Sequence, residues 1–181
     1  MGYGIYKKPL YETHEITDLR DMIRKSSEMY AERSAFLVKK NGKYEPITYM
    51  QYMADINALG TKLVNMGLKG EKIAVIGEAS YAWAVTYLAV VCGVGVIVPL
   101  DKELPKEEID NLINIANVKM IIHSPKVKTI DKDTKVDYKV CMGEELDALI
   151  EDGKRLLKEG NRDFLDAVID PEEMQILLFT S

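Results

Sequence analysis

Residues Ala79–Leu100 read ASYAWAVTYLAVVCGVGVIVPL, 22 residues without a charge, bounded by Glu78 and by Asp101-Lys102-Glu103. Length alone would allow one membrane-spanning helix. The internal punctuation argues otherwise. Gly93 and Gly95 interrupt the run, and Pro99 sits near its end. Trp83, Tyr87, Leu88 and Val91 recur at helical spacing before the glycines, and Val96, Ile97 and Val98 form a β-branched block after them. This predicts a buried helix over residues 80–92, a tight glycine turn, and a buried strand over 95–98. A continuous apolar strand suits a parallel sheet covered on both faces. The flanks are largely acidic and lack the basic residues that orient a span, so no transmembrane segment is expected.

Working outward, residues 1–17 are extended and aromatic without a period, and a helix is expected over 18–31. Ala35–Lys40 and Tyr44–Thr48 flank Asn41-Gly42, a hairpin signal. Thr48 and Gln51 are spaced as a capping box ahead of Tyr52, Ile56, Leu59, Leu63 and Met66, and Gly67 supplies the stop. A strand is expected at Lys72–Ile76. Pro105 opens a helix whose first turn carries Glu107 and Glu108, where a carboxylate suits the helix dipole. Its inward stripe is Ile109, Leu112, Ile113 and Ala116. Strands are expected at Met120–His123, Val136–Met142 and Gln175–Phe179, a helix at Glu144–Lys158, and a short helical piece at 163–168. Strands alternate with helices after residue 48, which predicts right-handed crossovers: an α/β, doubly wound, mostly parallel sheet with flanking helices, plus a small N-terminal β-hairpin.

The chain has 181 residues, a formal net charge of −5 and a pI of about 5.2. That balance argues against nucleic acid and against anionic membranes as the main partner. The lysines of 119–139 interleave with Asp131, Asp133 and Asp137 and read as a solvated loop. Cys92 and Cys141 sit in apolar stretches outside any metal-spaced cluster and are expected to be buried thiols of a reducing, cytoplasmic setting.

Ligands of doubly wound folds sit beyond the carboxyl ends of the strands. That marks Gly77-Glu78-Ala79-Ser80, Pro99-Leu100-Asp101, His123-Ser124 and Thr180-Ser181. No dinucleotide fingerprint and no Ser-His-Asp arrangement is present. Asp101 reads as a brace into the following helix, Trp83 and Tyr87 as core, and His123 as structural. The ending Gln175-Ile-Leu-Leu-Phe-Thr-Ser is an apolar strand delivering two hydroxyls into a turn, which is how phosphate-cradling loops begin.

Taken in order, Ile47-Thr-Tyr-Met-Gln-Tyr, Lys72-Ile-Ala-Val-Ile-Gly-Glu, Leu88-Ala-Val-Val-Cys-Gly-Val-Gly-Val-Ile-Val-Pro-Leu-Asp and Ile176-Leu-Leu-Phe-Thr-Ser resemble the N-terminal part of the adenylate-forming enzymes, the acyl-CoA synthetase and adenylation-domain superfamily. Gln51 stands where that family's first motif has Glu, and Val91 and Cys92 where its third has Lys and Ala. Residues 77–83 are most similar to bacterial long-chain fatty acyl-CoA synthetases. The resemblance implies that residues 1–181 are the N-terminal part of the large AMP-binding domain, the remainder and the C-terminal domain lying beyond it. It implies ATP, Mg2+ and coenzyme A as cofactors and a fatty carboxylate as substrate, with possible peripheral membrane contact through the lipid substrate. It places Thr180 and Ser181 at the start of the ATP phosphate loop. It assigns no catalytic residue and no metal ligand within the chain, so this stretch alone is expected to be inactive. Aryl or short-chain acid ligases, other adenylating enzymes, and a non-catalytic doubly wound binding domain are the alternatives. Pro99-Leu-Asp-Lys-Glu-Leu-Pro lacks the Tyr-Pro step typical of peptide-synthetase domains.

Overall fold

The computed structural model describes residues 14–40 and 42–179. Helix α1, Leu19–Met29, is capped by Asp18, whose carboxylate accepts from the Asp21 N–H at 2.8 Å. Strands β1, Ser34–Lys40, and β2, Lys43–Thr48, pair antiparallel as the hairpin signal predicted, with Gly42 at φ +81° in the turn. Asn41 lies outside the described residues. Helix α2, Tyr49–Asn65, carries the expected reciprocal cap: the Gln51 N–H donates to Thr48 Oγ1 at 3.2 Å, and the Thr48 N–H to Gln51 Oε1 at 2.9 Å. Two of the otherwise unpaired donors at the helix start are thereby satisfied.

The main sheet is parallel, in the order β4-β3-β5-β6, with β3 at Lys72–Ile76, β4 at Val96–Leu100, β5 at Val118–His123 and β6 at Tyr138–Cys141. The chain leaves central β3 through α3, Tyr81–Ala89, to reach β4 on one side. It returns through α4, Lys106–Ala116, to β5 on the other. Because side chains alternate, Ile73, Val75, Ile97, Met120 and Ile122 face one core with α2, α3 and α5, Glu144–Lys158. Ala74, Ile76, Val98, Leu100 and Ile121 face a second core with Ile109 and Ile113 of α4. Helices on both faces explain why these strands are apolar throughout rather than alternating.

The charge-free run resolves into α3, a π-helical turn at Val90–Val94, and β4. Gly93, at φ +134°, makes the turn possible. Strand β4 runs through Pro99 instead of stopping at 98. The Ile97 N–H donates to the Gln175 carbonyl at 2.9 Å, on the outer side of β4, and two residues on, Pro99 turns its nitrogen the same way. No partner there needs a donor, so proline is tolerated.

Four expectations need correction. Gln175–Phe179 is not a full strand; among the described residues it touches β4 through a single parallel bridge, Ile97–Ile176. Residues 163–168 form only a turn, held by the Asp166 N–H on the Arg162 carbonyl at 2.8 Å. The stretch 119–139 is not merely a solvated loop, since it contains most of β5 and buries Val127, Ile130 and Thr134. Cys92 is buried, but Cys141 on the edge strand is only half-buried.

Two long-range devices hold the layers together. Gly153 of α5 lies on the backbone of Ala58 in α2 and is buried there. Arg20 of α1 donates from Nε to the Cys92 carbonyl at 2.7 Å, from Nη1 to Ala167 at 2.7 Å and Leu165 at 3.3 Å, and from Nη2 to Phe164 at 2.8 Å. Its Nη2 also reaches the Cys92 carbonyl. A β-carbon at Gly93 would collide with this guanidinium, so the glycine serves both the turn and the arginine.

Candidate functional site at the carboxyl edge of the sheet

Strands β3 and β4 are neighbours, yet their outgoing helices lie on opposite faces. The loops that follow them must diverge, which opens a crevice at the carboxyl edge. The register sets Ile76 level with Leu100 on one side and with His123 on the other, so three strand ends open on one rim. Gly77–Ser80, Asp101–Leu104 and Ser124–Val127 are thereby brought together, as their positions after predicted strands implied.

The loops are fixed largely by their own backbone. A β-carbon at Gly77 would lie 2.8 Å from Ser124 Cβ, so the β3 and β5 loops approach this closely only because residue 77 is glycine. Ser124 is buried: its N–H donates to the Ile76 carbonyl at 2.8 Å, and its hydroxyl accepts from the Lys126 N–H at 3.2 Å. The Asp101 carboxylate accepts from the Glu103 N–H at 2.9 Å, the bracing role expected of it. Ser80 caps α3 by accepting from the Trp83 N–H at 3.2 Å. His123 is tied into the backbone, with Nδ1 3.1 Å from the Ser124 carbonyl and its own carbonyl accepting from the Met142 N–H at 2.7 Å.

A cleft of about 260 Å³ lies between these loops, lined by Glu78, Lys102, Glu103, Lys126, Val127 and Lys128. Lys126 Nζ meets Glu78 Oε1 at 2.9 Å, linking the β5 loop to the β3 loop. The Lys126 ammonium, the Glu78 N–H and the Ser124 hydroxyl together hold the Glu78 carboxyl down at about 2. Lys102 pairs with Glu103, which raises its ammonium above the ordinary lysine range. The third lysine of the lining, Lys128, donates to the Pro125 carbonyl at 2.8 Å, so the lining carries one more positive than negative side chain. Among the described residues, no group of three His, Cys, Asp or Glu side chains could hold a metal ion. This is a surface on which a ligand-binding loop can be mounted, rather than a complete reaction centre.

Gln175–Phe179 runs parallel to β4, so it heads for this same rim. Thr180 and Ser181, the expected start of a phosphate loop, lie outside the described residues. Lys102 and Lys126 were not singled out from sequence, although they fall four and three residues beyond the predicted strand ends at 98 and 123. Trp83 and Tyr87 stack on each other with ring centroids 5.2 Å apart and pack, half-buried, against the main core as expected. Trp83 lines a second, more apolar groove of about 500 Å³ with Phe36 and Leu37. Among the described residues, no helix is long and apolar enough to cross a membrane.

Comparison with solved structures finds the same fold. The chain is similar to a long-chain-fatty-acid-CoA ligase from Archaeoglobus fulgidus, with a TM-score of 0.75 and 18% identity over 93% of this chain and 35% of that one. It is similar to a Mycobacterium tuberculosis fatty acyl CoA synthetase, with a TM-score of 0.73 and 16% identity over 91% of this chain and 32% of that one. It is also similar to Klebsiella oxytoca NpsA in complex with 3-hydroxyanthranilyl-AMSN, with a TM-score of 0.68 and 18% identity over 92% of this chain and 31% of that one. The chain thus spans about a third of the length of these three structures. No curated protein sequence matches it. Residues 23–181 match the family described as AMP-binding enzyme, and on that match the chain belongs to the AMP-binding enzyme family.

Proposed function

We propose that residues 1–181 are the N-terminal part of the large adenylation domain of an ATP-dependent fatty acid–CoA ligase, with a long-chain acid as substrate. In the first step a carboxylate oxygen attacks the α-phosphorus of ATP. The bond from that phosphorus to the bridging oxygen breaks, pyrophosphate leaves and acyl-AMP remains. The thiol of coenzyme A then attacks the acyl carbon, losing its proton to a base, and AMP departs. The reading makes the protein cytoplasmic, where ATP and coenzyme A are found.

The ordered sequence blocks, together with the family match over residues 23–181, carry this reading. Thr180 and Ser181 are assigned as the first hydroxyls of the loop that holds the β- and γ-phosphates. The parallel course of Gln175–Phe179 beside β4 supports that assignment, because it directs the chain to the crevice edge. An anionic nucleophile approaching a polyanion needs fixed donors and added positive charge. Mg2+ supplies such charge when bound. No residue of this chain is assigned to hold it, and residues 1–181 alone are not expected to adenylate an acid.

The test is exchange of labelled pyrophosphate into ATP by the intact gene product, with fatty acids of several lengths, aryl acids and amino acids offered separately. Exchange with long-chain acids and thioester formation with coenzyme A are expected. Exchange with an aryl acid alone would move the enzyme to the runner-up reading. No exchange with any carboxylate, or a gene continuing past Ser181 without the Gly-Thr-Thr-Gly with which the resembled phosphate loop goes on, would sink the proposal.

A further inference from the structure

We propose that the free edge of β1 is a docking site for an extended segment, and that its occupant is residues 2–6 of this same chain, which lie outside the described residues. The hairpin turn leaves Lys40 paired with Lys43 across two residues. Hydrogen-bonded and open pairs alternate from there, so Val38–Glu45 and Phe36–Ile47 exchange bonds, while Lys39–Tyr44 and Leu37–Pro46 do not. Pro46 fits this phase, since it has no N–H to give. The backbone N–H and C=O groups of Leu37 and Lys39 therefore point away from β2. Among the described residues none of these four groups has a backbone partner.

The two edges of the hairpin differ. Pro46 blunts the outer edge of β2. The outer edge of β1 opens on the groove of about 500 Å³, which residues 36–39 line on one side and Ser80, Trp83 and Ala84 on the other. Strand β2 contributes nothing to this groove, and Lys39 is the one charged residue in its lining. A lysine can guard a strand edge by itself. That role leaves the apolar trough beside Leu37, itself 64% exposed, without a purpose. An added strand would satisfy the edge through its main chain and the trough through alternate side chains.

The course of the chain selects the occupant. The Thr17 N–H donates to Asp21 Oδ2 at 3.2 Å, and the Lys25 ammonium donates to the Glu15 carbonyl. The chain thus enters α1 from beside it, not from straight ahead. At its start α1 is tied to Cys92, past the end of α3, through Arg20; at its end Tyr30 meets Tyr49 at the base of the hairpin. A segment running back beside α1 has about 17 Å to cover. Lys7–Thr13 are seven residues, which extend to about 23 Å. Along that way α3 presents the stacked, half-buried Tyr87 and Trp83, a track for Leu10 and Tyr11. Residues 2–6, Gly-Tyr-Gly-Ile-Tyr, then reach the groove. They are uncharged, and in a strand Tyr3 and Ile5 share one face for the apolar wall while Gly2 and Gly4 leave the other clear. Pro9, which has no N–H for a ladder, falls in the connecting stretch.

The test is amide hydrogen exchange, resolved to single residues, on the intact gene product. The Leu37 and Lys39 amides are expected to exchange at least about tenfold more slowly than in a variant lacking residues 1–13. The Val38 and Lys40 amides, which bond to β2, should be the same in both and report that the hairpin is folded. Ile5→Pro keeps the chain length, removes a ladder donor and should release Leu37 and Lys39 as the deletion does. Fast exchange at Leu37 and Lys39 in the wild-type protein overturns the proposal without any variant. Slow exchange that survives both the deletion and Ile5→Pro overturns it too, because another segment then covers the edge. Protection that rises with protein concentration overturns it in favour of a second copy. The readout is protection and not turnover, so its outcome is independent of pyrophosphate exchange.

Discussion

Gly153→Ala sets two effects of opposite sign against each other. On helix propensity alone, alanine in the interior of α5 should stabilise by about 1 kcal/mol. The packing says otherwise. A β-carbon at 153 would lie 2.5 Å from the Ala58 carbonyl carbon and 3.0 Å from its α-carbon, and closer still to the carbonyl oxygen. Relaxed carbon–carbon contacts sit at about 3.5–4.0 Å, so the helices must part by about 1 Å. A gap of that size forfeits about a quarter to a half of the attraction across it. Ile56 and Leu59 of α2 and Leu146 and Ile150 of α5 share the affected core. With each worth about 2 kcal/mol when buried, the loss comes to about 2–4 kcal/mol. Net of the propensity gain, the variant should be destabilised by about 2 kcal/mol. Urea unfolding followed by far-ultraviolet circular dichroism should show the midpoint falling by about 1 M with an unchanged slope. Exposed Ala148 on the same helix is the control, and A148G should cost about 1 kcal/mol. A G153A midpoint equal to or above wild type would refute the claim that the α2–α5 crossing is built on the missing side chain.

Removing Arg20 should act at several points of the chain at once. R20M strips the donor from the carbonyls of Cys92, Phe164, Leu165 and Ala167, and should destabilise by about 3 kcal/mol. R20K should recover only part of that in the same urea titration, since one ammonium cannot reproduce the guanidinium fork. Glu78 gives a pH signature. Its folded carboxyl is held at about 2, below the ordinary 4.5, so its contribution is present above 4.5 and is lost as pH falls towards 2. The pair is solvent-exposed, and the effect is accordingly small. The urea midpoint of E78Q should lie below wild type at neutral pH and merge with it across that window; a gap that persists at the acid end would exclude the Lys126–Glu78 pair as its cause.

Elements set by local chemistry were legible in the sequence. Thr48 with Gln51, Gly42 in its turn, and the β-branched blocks of β3 and β4 each act within a few residues. The rim of the candidate site was legible for the same reason: Gly77–Ser80, Asp101 and His123-Ser124 follow strand ends, and the topology delivers parallel strand ends to one edge. What escaped is pairing across long separations. Nothing near Gly153 in the sequence names Ala58 as its neighbour, and nothing near Cys92 names Arg20, 72 residues away. Gln175–Phe179 has the composition of a strand, yet how much of a ladder it forms is decided by its pairing with β4, far off in the sequence, and that pairing is a single bridge.

These two kinds of information meet in the charge-free run. Its glycines announce a turn, and a turn is all that local reasoning can extract from them. The fold gives Gly93 a second role, since the space where its side chain would stand is filled by the Arg20 guanidinium. That guanidinium also holds the 164–167 carbonyls, and the chain from there leads to the segment bridging β4 at Ile176. The position of the carboxyl-edge crevice relative to Gln175–Phe179 thus depends on one arginine in α1 as well as on the sheet. Loosening this clamp should disturb that segment before it disturbs β3 or β5, whose ladders and two covered faces do not rely on it. Hydrogen exchange of R20M should accordingly rise first at the Ile97 and Leu177 amides that make the bridge; protection lost first at Ala74 or Ile121 would mean that the clamp supports the sheet rather than the segment beside it.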